Sequence, residues 1–112
     1  MPEPPRLTRW KHANPPSLEL LEALLADEEL EPHWWSNGGG DLYEMHEHAY
    51  HKVLYCLDGT VTFVLVPTNE RLTLGAGDRL DLPAGWPHRA SVGPQGVTCV
   101  EGWRKEPRSG DS

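Results

Sequence analysis

The chain has 112 residues, enough for one small domain and too few for a dinucleotide-binding half joined to a separate substrate domain. Ten basic residues against seventeen acidic ones give a net charge of −7, so the phosphate-tracking footprint of a nucleic-acid binder is missing. Eleven glycines and eleven prolines in a chain of globular apolar content favour short strands joined by turns. Two cysteines, Cys56 and Cys99, are too few for a disulfide scaffold, and each lies in an apolar run that suits a reduced, buried thiol. With no signal-peptide pattern and no apolar run of about 18 residues, the expectation is a soluble cytoplasmic protein that binds neither membrane nor nucleic acid.

Residues 1–16 are rich in proline and read as an extended surface arm, with Trp10 as its one large apolar anchor. Residues 17–29 read as a helix. Leu18, Leu21 and Leu25, with Leu20 and Leu24, recur at spacings of three and four, and Asn14 or Ser17 can cap the start. Its leucine face must cover one side or the mouth of whatever follows. From residue 30 the period changes to two. Strands are predicted at 31–36, 41–50, 52–58, 60–66, 70–74, 79–82, 88–92 and 97–104, with a hairpin turn at Asp58-Gly59. Eight short strands at this spacing predict an all-β, closed or double-sheet fold. The expected organisation is an arm and helix over 1–30, a barrel over 31–106 and a disordered tail over 107–112.

Six histidines fall at positions 12, 33, 46, 48, 51 and 88. His46 and His48 are two apart in a strand-like run and so project from one face, together with Glu44. That is how one strand supplies two neighbouring metal ligands. His88, which follows Pro83-Ala84-Gly85-Trp86-Pro87 and opens a distant strand, is the candidate third imidazole. His51 has the opposite parity and is expected to face away, and His12 and His33 read as surface or packing residues.

These residues stand in two motifs. The first reads Gly40, five residues, His46-Glu47-His48, three residues, Lys52, six residues, Gly59. The second reads Gly77, five residues, Pro83-Ala84-Gly85, two residues, His88, three residues, Val92. In spacing they resemble the two motifs of the cupin superfamily, across residues 40–92. The resemblance implies a cupin double-stranded β-helix, a jelly-roll barrel with a short N-terminal helix here, commonly dimeric. It also implies a metal held inside by His46, His48 and His88. Two positions depart from the family pattern: Val92 replaces an Asn, and Lys52 replaces the Glu that normally brings the only protein anion to the metal.

An ammonium at about 6 Å from a divalent ion is repelled by roughly 5 kcal/mol at an effective dielectric near 20. Lys52 can swing away to pair with a carboxylate such as Glu44 or Glu47. It can stay inward and give up its proton, or admit metal only together with an anionic ligand, or leave the site without metal. The favoured reading is a three-histidine site for Zn²⁺, Fe²⁺, Mn²⁺ or Ni²⁺ with Lys52 held by a carboxylate. Neutral ligands leave the full charge on the ion, so the expected partner is a small anionic molecule.

Lys52 and Glu44 are the candidate proton carriers, and Tyr43, Trp35 and Trp86 are the aromatic residues expected to line the mouth. Two functions compete. One is an enzyme, by the resemblance to cupins a dioxygenase with Fe²⁺, or an isomerase or lyase with the other metals. The other is a sensor that binds without turnover. A metal-free cupin with structural histidines is the plainer reading. The Trp-bearing arm and the leucine-faced helix point to a homodimer.

Overall fold

A computed structural model describes residues 3–105, so the expected tail at 107–112 lies outside the described residues. In chain order the elements are β1 (Arg6–Thr8), α1 (Leu18–Asp27), β2 (His33–Asn37), β3 (Leu42–His46), β4 (Tyr50–Leu65), β5 (Glu70–Leu74), β6 (Arg79–Leu82) and β7 (His88–Lys105). The fold is all-β and antiparallel with one short helix.

Two long strands organise it. The first part of β4, Lys52 to Tyr55, pairs with β6 on one side and with the end of β7 on the other. The last part of β4, Val61 to Leu65, pairs with β5 and with the start of β7. Strand β1 extends the first layer at β6, β2 extends it at the end of β7, and β3 joins the second layer at the start of β7. The two long strands therefore pass through both layers of a jelly roll.

The predicted hairpin at Asp58-Gly59 is corrected by this pairing. The chain does not reverse there. It crosses from one layer to the other through a pair of register shifts, with Gly59 opposite Val97. Gly59 has φ +80°, and a Cβ added to it would stand 2.0 Å from the Gly96 carbonyl oxygen. Only glycine fits at that crossing. A bulge and a tight turn both need positive φ, which is why Asp-Gly reads as either. For the same reason the predicted strands 88–92 and 97–104 are parts of one strand. The predicted 70–74 and 79–82 coincide with β5 and β6.

Alternation along the strands sorts the apolar residues into two clusters. Leu54 and Cys56 of β4 face inward with Phe63, Leu65, Leu72, Leu80, Leu82, Val97 and Cys99 to form the interior. Val53 and Tyr55, of opposite parity, face out with Val100 and are covered by Leu21 and Leu25 of α1. Ser17 caps that helix, its hydroxyl accepting from the Leu20 N–H at 3.1 Å. Leu21 and Leu25 are fully buried, each contributing about 1.5–3 kcal/mol. The expected helix thus covers one side of the barrel, not its mouth. The arm is more than a surface strand of chain. Its residues Arg6–Thr8 pair with Asp81–Arg79, and Trp10 packs directly on Gly77. The two free cysteines are buried and sit opposite each other across β4 and β7.

Candidate metal centre

Strand β3 ends at His46, directly across from His88, the first residue of β7. His48 lies beyond the strand, on the short connection to β4, and not within a strand as its spacing suggests. That connection is fixed by a backbone bond from Gly85 N–H to the His48 carbonyl at 2.9 Å. The Pro83-Ala84-Gly85 turn, which presents His88, is thereby tied to the loop that presents His48.

The three imidazoles converge. Ring centroids are 4.3 Å apart for His46 and His88, 4.9 Å for His46 and His48, and 5.4 Å for His48 and His88. One ring nitrogen from each lies within 4.8 Å of the others. Nδ1 of His46 is 2.8 Å from the Glu44 carbonyl, and Nδ1 of His88 is 2.8 Å from the Trp86 carbonyl. A carbonyl only accepts, so both rings donate from Nδ1 and carry the lone pair on Nε2. The Nε2 atoms of His48 and His88 are buried and have no hydrogen-bond partner among the described residues. Burial, then repulsion from Lys52 and the neighbouring imidazoles, holds His48 down to about 4, so it is neutral at pH 7. Burial also lowers His88 against the opposing bond to the Trp86 carbonyl. Converging imidazole nitrogens, two of them buried and unpartnered, on rings of which two are anchored through Nδ1, fit a divalent transition metal.

Beside the cluster is a cavity of about 250 Å³ lined by Trp35, Asn37, Tyr43, His46, Lys52, Phe63, Ala90 and Glu101. Tyr43 and His46 both reach it although they are three residues apart. The register of β3 against β7 shifts between them, and the bulge brings both to one face. The same shift explains Glu44. Equal parity with His46 predicted it inside, but its side chain is exposed and lines a separate depression with Leu42, Arg71 and Arg89. Only its backbone carbonyl serves the cluster. Of the three expected mouth aromatics, Trp35 and Tyr43 line the cavity. Trp86 packs against the core, and its carbonyl orients His88. His51 faces away as expected, its Nε2 3.2 Å from Asp81 Oδ1.

Lys52 is buried and turned inward, with Nζ 3.6 Å from Glu101 Oε1. The carboxylate partner is neither Glu44 nor Glu47 but a residue of β7. Glu101 is itself buried, and it accepts the indole N–H of Trp35 at 2.7 Å on Oε1 and that of Trp103 on Oε2. The sequence reading missed it. Its signal was parity: Val97 and Cys99 face the interior, and Glu101 is the next residue in that series. Asn37, which accepts the Tyr43 hydroxyl proton, was missed as well.

No protein-family model and no curated protein matches the chain. Solved structures do. A DUF861 family protein from Thermotoga maritima is similar over 89% of this chain and 99% of that one, with 16% identity and a TM-score of 0.63. An RmlC-like cupin from Shewanella frigidimarina matches 69% of this chain and 67% of that one, with 21% identity and a TM-score of 0.59. The DMSP lyase DddQ from Ruegeria pomeroyi matches 71% of this chain and 40% of that one, with 22% identity and a TM-score of 0.62. Two layers sharing the same two long strands, closed around an apolar interior and superposable on solved cupins, define the architecture: the chain has the cupin fold.

Proposed function

We propose that this protein binds one divalent transition metal (Zn²⁺, Fe²⁺, Mn²⁺ or Ni²⁺) through His46, His48 and His88 and takes a small anionic molecule into the adjoining cavity. The observation that carries this reading is the convergence of three ring nitrogens within 4.8 Å, two of them buried and without a partner among the described residues. A buried imidazole nitrogen without a partner costs stability, and a cluster of them is tolerated where an ion completes the site. A divalent ion held there supplies Lewis-acid stabilisation of an oxyanion. The chain's own residues supply the rest. Lys52 presents a positive charge beside the cluster, Tyr43 places a hydroxyl in the cavity wall, and Trp35, Phe63 and Ala90 give the ligand an apolar bed.

Chemistry on the bound anion is the first reading, supported by the lyase from Ruegeria pomeroyi that shares the fold. Lys52 is the proton carrier in this reading, because it lines the cavity and Glu44 does not. The test begins with metal. Elemental analysis of the purified chain, and titration of stripped protein with each of the four ions, are expected to give about one ion per chain. His88→Ala is expected to abolish it. Failure of all four ions to bind the wild-type chain defeats the proposal. Turnover of small carboxylic acids by the loaded protein separates an enzyme from a sensor.

A further inference from the structure

We infer that Lys52 is the specificity-determining residue of this cavity: only loosely paired with Glu101 on the neighbouring strand β7, its ammonium takes one carboxylate of a small dicarboxylate whose other oxyanion is received at the His46, His48, His88 cluster. The inference rests on the metal-and-anion reading above and names the class of anion.

Three observations carry it. The first is the state of the Lys52 side chain. It is buried, yet its one ion-pair partner among the described residues is Glu101 Oε1, at a distance too long for a good hydrogen bond. Both Glu101 oxygens are already engaged by the indoles of Trp35 and Trp103. The Lys52 ammonium, at the cavity wall, is thus left without a short hydrogen bond to any described residue. An acceptor brought by a ligand relieves that cost.

The second observation is charge. Lys52 and Glu101 offset each other. A divalent ion at the imidazoles then leaves two positive charges to be met from outside, which a dianion does and a monoanion does not.

The third is size and placement. At about 250 Å³ the cavity falls below the roughly 300–1,000 Å³ of drug-sized sites, and His46 and Lys52 line it together. It suits an acid of a few carbons, one end toward the imidazoles and the other toward Lys52. Glu101 shares the Lys52 ammonium with the incoming carboxylate and competes with it for that charge.

The test uses zinc-loaded full-length protein and calorimetric titration with succinate and with its monomethyl ester, which is nearly the same shape with one charge removed. Succinate is expected to bind about tenfold to hundredfold more tightly, the range for a hydrogen bond to a charged group. In the double variant Lys52→Gln/Glu101→Gln, which leaves no unpaired buried charge, the preference is expected to vanish while zinc still binds. Glu101→Gln alone is expected to increase the preference, because the competing carboxylate is gone. Damage to the fold would instead weaken both ligands together. Equal binding of the two ligands by the wild type, survival of the preference in the double variant, or a smaller preference in Glu101→Gln each overturns the inference. A separate zinc titration tells the two failures apart. Normal zinc uptake without ligand discrimination sinks this inference alone, and absence of zinc uptake sinks the proposed function with it.

Discussion

Arg79 and Lys52, two cations held against the sheet, are treated in opposite ways. Arg79 uses all five of its N–H donors. It reaches Glu28 at the end of α1, Asp81 on its own strand and the Tyr55 hydroxyl, and its guanidinium lies 5.6 Å from the Tyr55 ring centre. Lys52, on the same strand three residues before Tyr55, has one ion-pair partner among the described residues, at 3.6 Å. The first arrangement is closed and fastens the helix to the sheet. The second is left open toward a cavity and three histidines. A saturated cation marks a place where the fold is fastened, and an unsaturated one marks a place where something arrives.

The comparison can be broken at either end. The largest expected effect is at the clamp. Arg79→Leu leaves Glu28 and Asp81 without their shared partner and is expected to cost about 3 kcal/mol, read as a lower urea midpoint with unchanged slope. A loss under about 1 kcal/mol would remove the contrast.

Acid separates the two regions by pH window. His48 is held down to about 4, so between pH 6.5 and about 4 the unfolded chain binds a proton that the native chain refuses, and His88, also lowered by burial, acts in the same direction. Stability of the metal-free protein is therefore expected to fall as pH drops through that window. The clamp responds later. The Arg79 hydrogen bonds hold Glu28 low, and for Asp81 the same arginine outweighs a burial that pulls the other way. Their contribution is complete above about pH 4.5 and is lost as pH falls through their depressed values. Urea midpoints across the range are expected to decline in two stages, and replacing His48 by Gln is expected to flatten only the upper one.

The smallest effect is at Lys52. The double variant Lys52→Gln/Glu101→Gln is expected to change folding stability by less than about 1 kcal/mol, since it trades a loose ion pair for a neutral one. A large loss in its urea midpoint would make Lys52 a structural residue like Arg79. Light scattering offers a further check at the level of assembly, where the proposed homodimer is expected at about twice the chain mass.

Much of the site could be read from spacing. His46 and His48 lie two apart, and His88 follows a Pro-x-Gly turn, so their residue types and intervals carry the cluster. The rest depended on events that spacing does not encode. A bulge in β3 exchanges the faces of Tyr43 and Glu44, and nothing local in Leu42-Tyr43-Glu44-Met45 announces it. Glu101 meets Lys52 only because β7 runs beside β4, a pairing between distant parts of the chain. The fold was legible in its strand content and opaque at two crossings, where Gly59 and Gly96 serve bends within strands and not reversals between them.

That continuity shapes how the molecule can come apart. Because β4 and β7 each belong to both layers, neither layer has a complete set of strands of its own. Cutting the backbone at Asp58 would divide β4 between the layers and leave neither piece with a complete set of strands. Loss of structure in such a vessel is all or nothing, and an occupant at one end steadies the far wall as firmly as the near one.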